Sequence, residues 1–192
     1  VSNFAKIGPW YYGTIDRKYQ LFKYSELCFL KAIAIERGLI AGNAKDAYEA
    51  GVRSNMAEFD IPEAVITDYL ASTAPNYYGT TAKYDDTTGD CNTHMDKILT
   101  QKYIAQFQEC SFETWADHRQ FHKPTLMPFA SVSSSVFTMN PADQANNTPN
   151  AYVKRIYYPS SEYTVNAANV KEAESRMGGT NSIQNNVWWD VD

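Results

Sequence analysis

The sequence predicts an all-α fold of tetratricopeptide-like helix pairs with long irregular loops, and three observations lead to it. Within residues 24–38 (YSELCFLKAIAIERG), Leu27 to Ile35 is apolar almost all round, with Lys31 and the following Glu36 the clear polar breaks, so the helix needs cover on more than one side. Residues 43–54 place Ala47, Ala50, Gly51 and Ser54 at i, i+3, i+4 and i+7, a flat stripe against which a neighbouring helix can lie closely. The stretches 72–92 and 124–150 are rich in Thr, Ser, Asn, Asp and Pro, with no helical pattern, and read as long loops. The 192 residues then form one unit, with a helical part over about 24–123 and a loop-rich tail over about 124–192.

The first helix begins near Tyr24 and stops at Gly38, which suits the left-handed residue just past a helix end. Asn43 caps the second, with Asp46 three residues on in a capping-box-like arrangement. Gly51 costs about 1 kcal/mol against Ala inside a helix, which close packing would offset. The pair has roughly the length of one tetratricopeptide repeat, although only one copy is visible and the Trp and Pro marks of that repeat are absent. Asp60-Ile61-Pro62-Glu63 reads as an N-cap followed by Pro in the first turn, opening a helix that carries Val65, Ile66, Tyr69 and Leu70. Another runs from about Thr93 through Ile98, Leu99, Tyr103, Ile104 and Phe107. Ser111 restarts a helix through Phe112, Trp115 and Ala116 up to the Lys123-Pro124 break. The tail from Tyr152 mixes a strand, a helix around 167–176 and the aromatic end Trp188-Trp189.

Composition narrows the function classes. A formal charge of -5 and the lack of a basic stripe argue against a nucleic-acid partner, which needs clustered Lys and Arg. The three cysteines, Cys28, Cys91 and Cys110, show no metal-ligand spacing; Cys28 reads as a small buried hydrophobe, and Cys91 and Cys110 pair only if the fold brings them together. No apolar run spans a bilayer. The chain opens Val1-Ser2-Asn3 with no signal peptide, and reads as a fragment whose targeting information lay upstream. Some cover for the first helix would then also lie upstream, leaving an apolar patch at Phe29, Leu30 and Ile33.

Catalytic and metal motifs are not in evidence. His118 and His122 have the i, i+4 spacing of a helical metal pair, but His-Arg-Gln-Phe-His lacks the Glu of a zinc-protease HExxH. Asp85-Asp86-Thr87-Thr88-Gly89-Asp90 lacks the ligand order and distal Glu of a calcium loop and fits an acidic turn. No GxSxG or phosphate loop is present, and no carboxylate pair stands out. Aromatic residues make up 14% of the chain, with 14 tyrosines, and an apolar ring with a polar tip suits a ligand platform. Trp10, Tyr11 and Tyr12, beside Gly8, Pro9 and Gly13, are the leading ligand-stacking residues, with packing against helices as the alternative; Tyr77, Tyr78 and Tyr84 are the next candidates. Trp188-Trp189-Asp190 reads as a terminus tied onto the body.

Several segments together resemble the SusD/RagB family of outer-membrane nutrient-binding lipoproteins. Tyr24-Ser25-Glu26-Leu27-Cys28-Phe29-Leu30-Lys31-Ala32 is similar to the family's Y-[AS]-E-L-x-F-L-K-A-E-A helix, with Ile33 where a Glu is expected. Ala44 to Val52 resembles its AxxxYxxGI partner, and Gln101-Lys102-Tyr103-Ile104-Ala105 with Glu113-Thr114-Trp115-Ala116-Asp117 resembles QKYIAL…EAWAD. Arg155-Ile156-Tyr157-Tyr158-Pro159, Ser161-Glu162-Tyr163, Asn166, Asn169, Gly178-Gly179 and Val187-Trp188-Trp189-Asp190 follow the family ending in order. The resemblance implies a SusD-like helical fold, here its carboxyl-terminal portion and incomplete on the amino-terminal side. It also implies a non-enzymatic protein without cofactor or metal, at the extracellular face of the outer membrane. There it captures a glycan or peptide for a TonB-dependent, SusC-like transporter and meets the membrane only through a lipid anchor absent from this chain. The other reading is a helical-repeat scaffold that binds protein or peptide.

Overall fold

A computed structural model describes residue 13 and residues 20–124, 153–179, 181–183 and 185–189. Seven helices are seen among them: α1 Tyr24–Glu36, α2 Ala44–Ala57, α3 Glu63–Ala71, α4 His94–Ala105, α5 Ser111–Phe121, α6 Ser160–Val165 and α7 Ala167–Arg176. No strand occurs among the described residues, so the strand expected after Tyr152 is replaced by an extended segment leading into α6, with Pro159 at its N-cap.

The helix pair α1–α2 is the centre of the molecule, with α4 packed on α1 and α3 on α2. Gly38, at φ 68°, reverses the chain after α1, and Gly38 N–H and Leu39 N–H close on the carbonyls of Ile35 and Ala34. The Asn43 side chain caps α2 by accepting from the N–H groups of Lys45 and Asp46 at 3.0 and 3.4 Å. Ala47 and Gly51 of the small-residue stripe are buried, and a Cβ on Gly51 would stand 2.7 Å from the Phe29 ring. The stripe exists because Phe29 lies against it.

Phe29 and Ile33 are therefore covered within the chain, unlike the exposed patch expected there. The outer face of α1 carries the exposed apolar residues instead: Tyr24, Leu27 and Leu30 are 65%, 48% and 41% exposed. Asp60 does not cap α3. At φ 57° it closes the end of α2 by donating its N–H to the Ala57 carbonyl at 3.1 Å, and Pro62 takes the N-cap of α3. At α4 a full capping box forms between Thr93 and Asp96.

Buried charges lock the helices together. Lys23, before α1, pairs with Glu58 at 3.0 Å and Glu109 at 2.7 Å. Lys102 of α4 pairs with Asp117 of α5 and lies 3.9 Å from Glu26 of α1. The tail docks on α5. Trp115 Nε1 donates to the Val153 carbonyl at 2.5 Å, and Trp189 covers Arg119. Trp188, in contrast, is 90% exposed, so only one of the two terminal indoles ties the end down. All three cysteines are free thiols, with Cys28 buried.

Candidate functional site

The helix pair holds up the loop 72–92, and buried polar side chains give that loop its shape. Lys97 of α4 is fully buried and donates from Nζ to the Thr81 carbonyl at 3.0 Å, to Thr81 Oγ1 at 2.6 Å and to Asn92 Oδ1. Asn92 Nδ2 in turn donates to the carbonyls of Asp86 and Thr88 at 2.8 and 2.9 Å. Burial lowers the Lys97 ammonium below its ordinary range, while Asp86 and Asp96 favour its charge. Nearer the tip, the Asn76 side chain accepts from the N–H groups of Tyr78 and Thr80 at 2.9 and 3.2 Å. This brace holds Tyr77 and Tyr78 at the surface.

The Tyr77 and Tyr78 rings meet edge-on at 5.6 Å, and Tyr78 meets Tyr103 of α4 in the same way at 5.7 Å. An open groove of about 320 Å³ follows, lined by Tyr78, Tyr103, Ile104, Gln106, Phe107, Gln108, Ser111 and Thr114. Phe107 is 53% exposed and Ile104 41%. The Tyr78 hydroxyl is raised above its ordinary pKa by burial and by the neighbouring Tyr103, so it stays protonated and can donate. Gln106 forms the inner wall: its Nε2 donates to Glu26 at 3.1 Å and its Oε1 accepts from Thr114 at 3.1 Å. Gln108, at φ 65°, turns the chain at the rim.

The groove thus offers apolar ring surface with hydroxyl and amide groups at its edge, the usual make-up of a site for a polar organic ligand. None of its described lining residues is Asp, Glu or His.

Of the sequence candidates, Trp10, Tyr11 and Tyr12 lie outside the described residues. Tyr78 lines the groove and Tyr77 stands against its ring, whereas Tyr84 does not belong to it. It is 5% exposed, stacks on His94 at 4.2 Å and donates to Glu36, which makes it core. Its hydroxyl is raised well above the ordinary range by burial and by Glu36. Tyr103 was legible only as an apolar helix position; its pairing with Tyr78 crosses between elements and leaves no periodic trace. The His118–His122 spacing does not become a metal pair, because His122 leaves the helix at φ 52°. Asp86 accepts from Thr88 at 2.6 Å and Asp85 pairs with Lys45 at 2.5 Å, so the acidic turn satisfies its own carboxylates. Among the described residues no cluster of His, Cys, Asp or Glu could hold a metal ion, and no helix is long and apolar enough to cross a membrane.

The paired-helix scaffold, with no strand among the described residues, defines an all-α protein. The chain belongs to the SusD-like family, described as SusD and RagB outer-membrane lipoproteins, whose family model matches residues 4–190. A crystal structure of a SusD homolog from Parabacteroides distasonis is 39% identical with a TM-score of 0.74, over 91% of this chain and 33% of its own. A chitin-binding protein is 30% identical with a TM-score of 0.63, over 88% of this chain and 33% of its own. A chitin-binding SusD homolog from Flavobacterium johnsoniae is 26% identical with a TM-score of 0.64, over 88% of this chain and 36% of its own. The chain thus spans about a third of the length of these structures. No curated protein sequence matches it.

Proposed function

We propose that this chain belongs to a non-catalytic protein that captures oligosaccharide at the extracellular face of the outer membrane and delivers it to a TonB-dependent, SusC-like transporter. The observation that carries the reading is the groove at Tyr78, Tyr103 and Phe107. Its ring faces suit the C–H faces of a sugar, and Gln108 and Ser111 suit its hydroxyls. The likeness to two chitin-binding proteins supports a saccharide as ligand, and an N-acetylated glucosamine oligomer is the first to try. Trp10, Tyr11 and Tyr12 remain proposed as further stacking residues. Calorimetric titration of the intact protein with chitotriose, maltotriose and a peptide pool tests the reading. Saccharide binding that Tyr103→Ala abolishes is expected; binding of peptides alone would replace the saccharide with a peptide. Release of reducing sugar by the purified protein would make it a hydrolase.

A second reading, a helical scaffold for a protein partner, draws on the exposed face Tyr24, Leu27 and Leu30 of α1. Recovery of soluble partners without a transporter from outer-membrane extracts would favour it.

A further inference from the structure

Arg155 is a buried cation with no carboxylate counter-ion among the described residues. It is 8% exposed, and its guanidinium carbon lies 4.7 Å from the centre of the Tyr158 ring. Nη1 donates to Asn181 Oδ1 at 2.8 Å. Asn181 Nδ2 donates to the Tyr163 hydroxyl at 2.9 Å, and that hydroxyl donates to Glu174 at 2.5 Å. Glu174 is thereby engaged by a phenol at the far end of the chain of bonds. Among the described residues no carboxylate forms an ion pair with Arg155. Ring and amide hold the guanidinium in place but do not neutralise it, and a charge withdrawn from water is costly until an anion meets it.

Arg155 lines a cavity of about 490 Å³ between α7 and the carboxyl-terminal segment. Arg176 lines it too, and among the described residues it pairs with Glu172, one turn earlier at 3.5 Å in an exposed, solvent-screened pair. Asn186 stands beside them with its Oδ1 taken by Lys154 Nζ at 2.5 Å, which turns the amide N–H groups toward other acceptors. Trp188, 90% exposed, supplies a flat ring at the mouth. Among the described residues no Asp or Glu lines the cavity.

We propose that this cavity is a second saccharide subsite, one that takes an acidic sugar through its carboxylate. A guanidinium fixed by a ring and an amide presents the planar fork that matches a carboxylate with two parallel bonds. Arg176 adds a second positive charge, Trp188 stacks on the sugar ring, and Asn186 donates to a ring hydroxyl. That a sugar carries the anion rests on the saccharide reading above; that the cavity takes an anion does not.

The test titrates the intact protein calorimetrically with trigalacturonate and, separately, with chitotriose. Arg176 and Trp188 are exposed, so Arg176→Gln and Trp188→Ala leave the fold intact, and Arg155→Gln is read only if its melting temperature holds. Each of the first two should weaken trigalacturonate binding on the order of tenfold, the worth of one hydrogen bond to a charged group. Added salt should weaken it further. Chitotriose affinity should not change in either variant and should be lost in Tyr103→Ala, which leaves trigalacturonate binding as it was. No trigalacturonate binding, or binding indifferent to both Arg176→Gln and Trp188→Ala, would overturn the subsite while leaving the Tyr103 groove standing. Retained trigalacturonate binding with no chitotriose binding would remove the groove reading and keep this one.

Discussion

The Trp189 ring lies 4.6 Å from the guanidinium carbon of Arg119, which also lies 4.1 Å from the Trp115 ring. One arginine on α5 thus meets an indole of its own helix and one from the carboxyl-terminal segment, and the tail is fastened there. Trp189→Ala should cost about 1–2 kcal/mol through the lost cation–π contact and ring burial. Trp188→Ala, at a 90% exposed position, should stay within about 0.5 kcal/mol of the parent. Urea denaturation of the two variants side by side checks the contrast.

Gly51→Ala should destabilise, although Ala is the better helix former by about 1 kcal/mol. The new methyl would stand 2.7 Å from the Phe29 ring, and Phe29 is fully buried with no room to retreat. A net loss of about 1–3 kcal/mol is expected for such overpacking. Phe29→Leu in the same background should recover part of it. A thermodynamic cycle showing no coupling between the two positions would count against the close approach.

Lys97→Met should loosen the loop that displays Tyr77 and Tyr78. It strips the Thr81 carbonyl and the Asn92 side chain of a charged donor, at about 2–3 kcal/mol for hydrogen bonds to a charged group. Amide hydrogen exchange should quicken over residues 85–92, beyond the buried Tyr84, well before α1 and α2 change.

Asp96 gives a pH signature. Burial raises its carboxyl, but the Lys123 ammonium at 2.8 Å and the donors of Thr93 outweigh that and hold it below the usual carboxylate range. The folded chain therefore binds this proton less readily than the unfolded chain. The stabilisation is present above the unfolded value near about pH 4 and is lost as pH falls through the folded one. Asp96→Asn should show a shallower fall in urea midpoint between about pH 4 and pH 2 than the parent. An unchanged slope would take Asp96 out of the acid response.

Alanine at Tyr78 or Tyr103 should weaken chitotriose binding by about 1–3 kcal/mol, the range for loss of an aromatic stacking partner, enough at Tyr103 to take it below calorimetric detection. The same cut at Trp10, Tyr11 or Tyr12 should do so if those rings stack on ligand. A collapsed melting temperature with unchanged affinity would instead make them core. Measuring both quantities on each variant separates the two.

What the sequence made legible follows from periodicity. The bounds of α1 and α2, the caps at Gly38 and Asn43, the small-residue stripe and α7 all repeat on a helical interval or sit at a helix end. The motif residues Glu26, Lys102 and Asp117 were visible as a family pattern, and the fold gives their reason: they meet in one buried ionic cluster across three helices. The loop and the groove were harder to read because long-range side-chain bonds build them. Nothing periodic tells Lys97 to reach Asn92, or Tyr103 to meet Tyr78. Asp60 misled because an Asp before Ile-Pro has two uses, capping the next helix or closing the last, and only the backbone reveals which. Arg155 is visible in sequence as part of the family ending, but that no carboxylate among the described residues pairs with it shows only once the segments are folded together.

Gln106 has a further consequence. Both ends of its amide are engaged inside the protein, one by Glu26 and the other by Thr114, and it is 3% exposed. The back of the groove is thus braced by the same ions that clamp the helices, and it cannot be altered without disturbing them. If the groove takes the proposed saccharide, selectivity is left to its rim, at Gln108 and Ser111. A groove of this kind acquires new tastes by exchanging its lips, while the palate stays fixed.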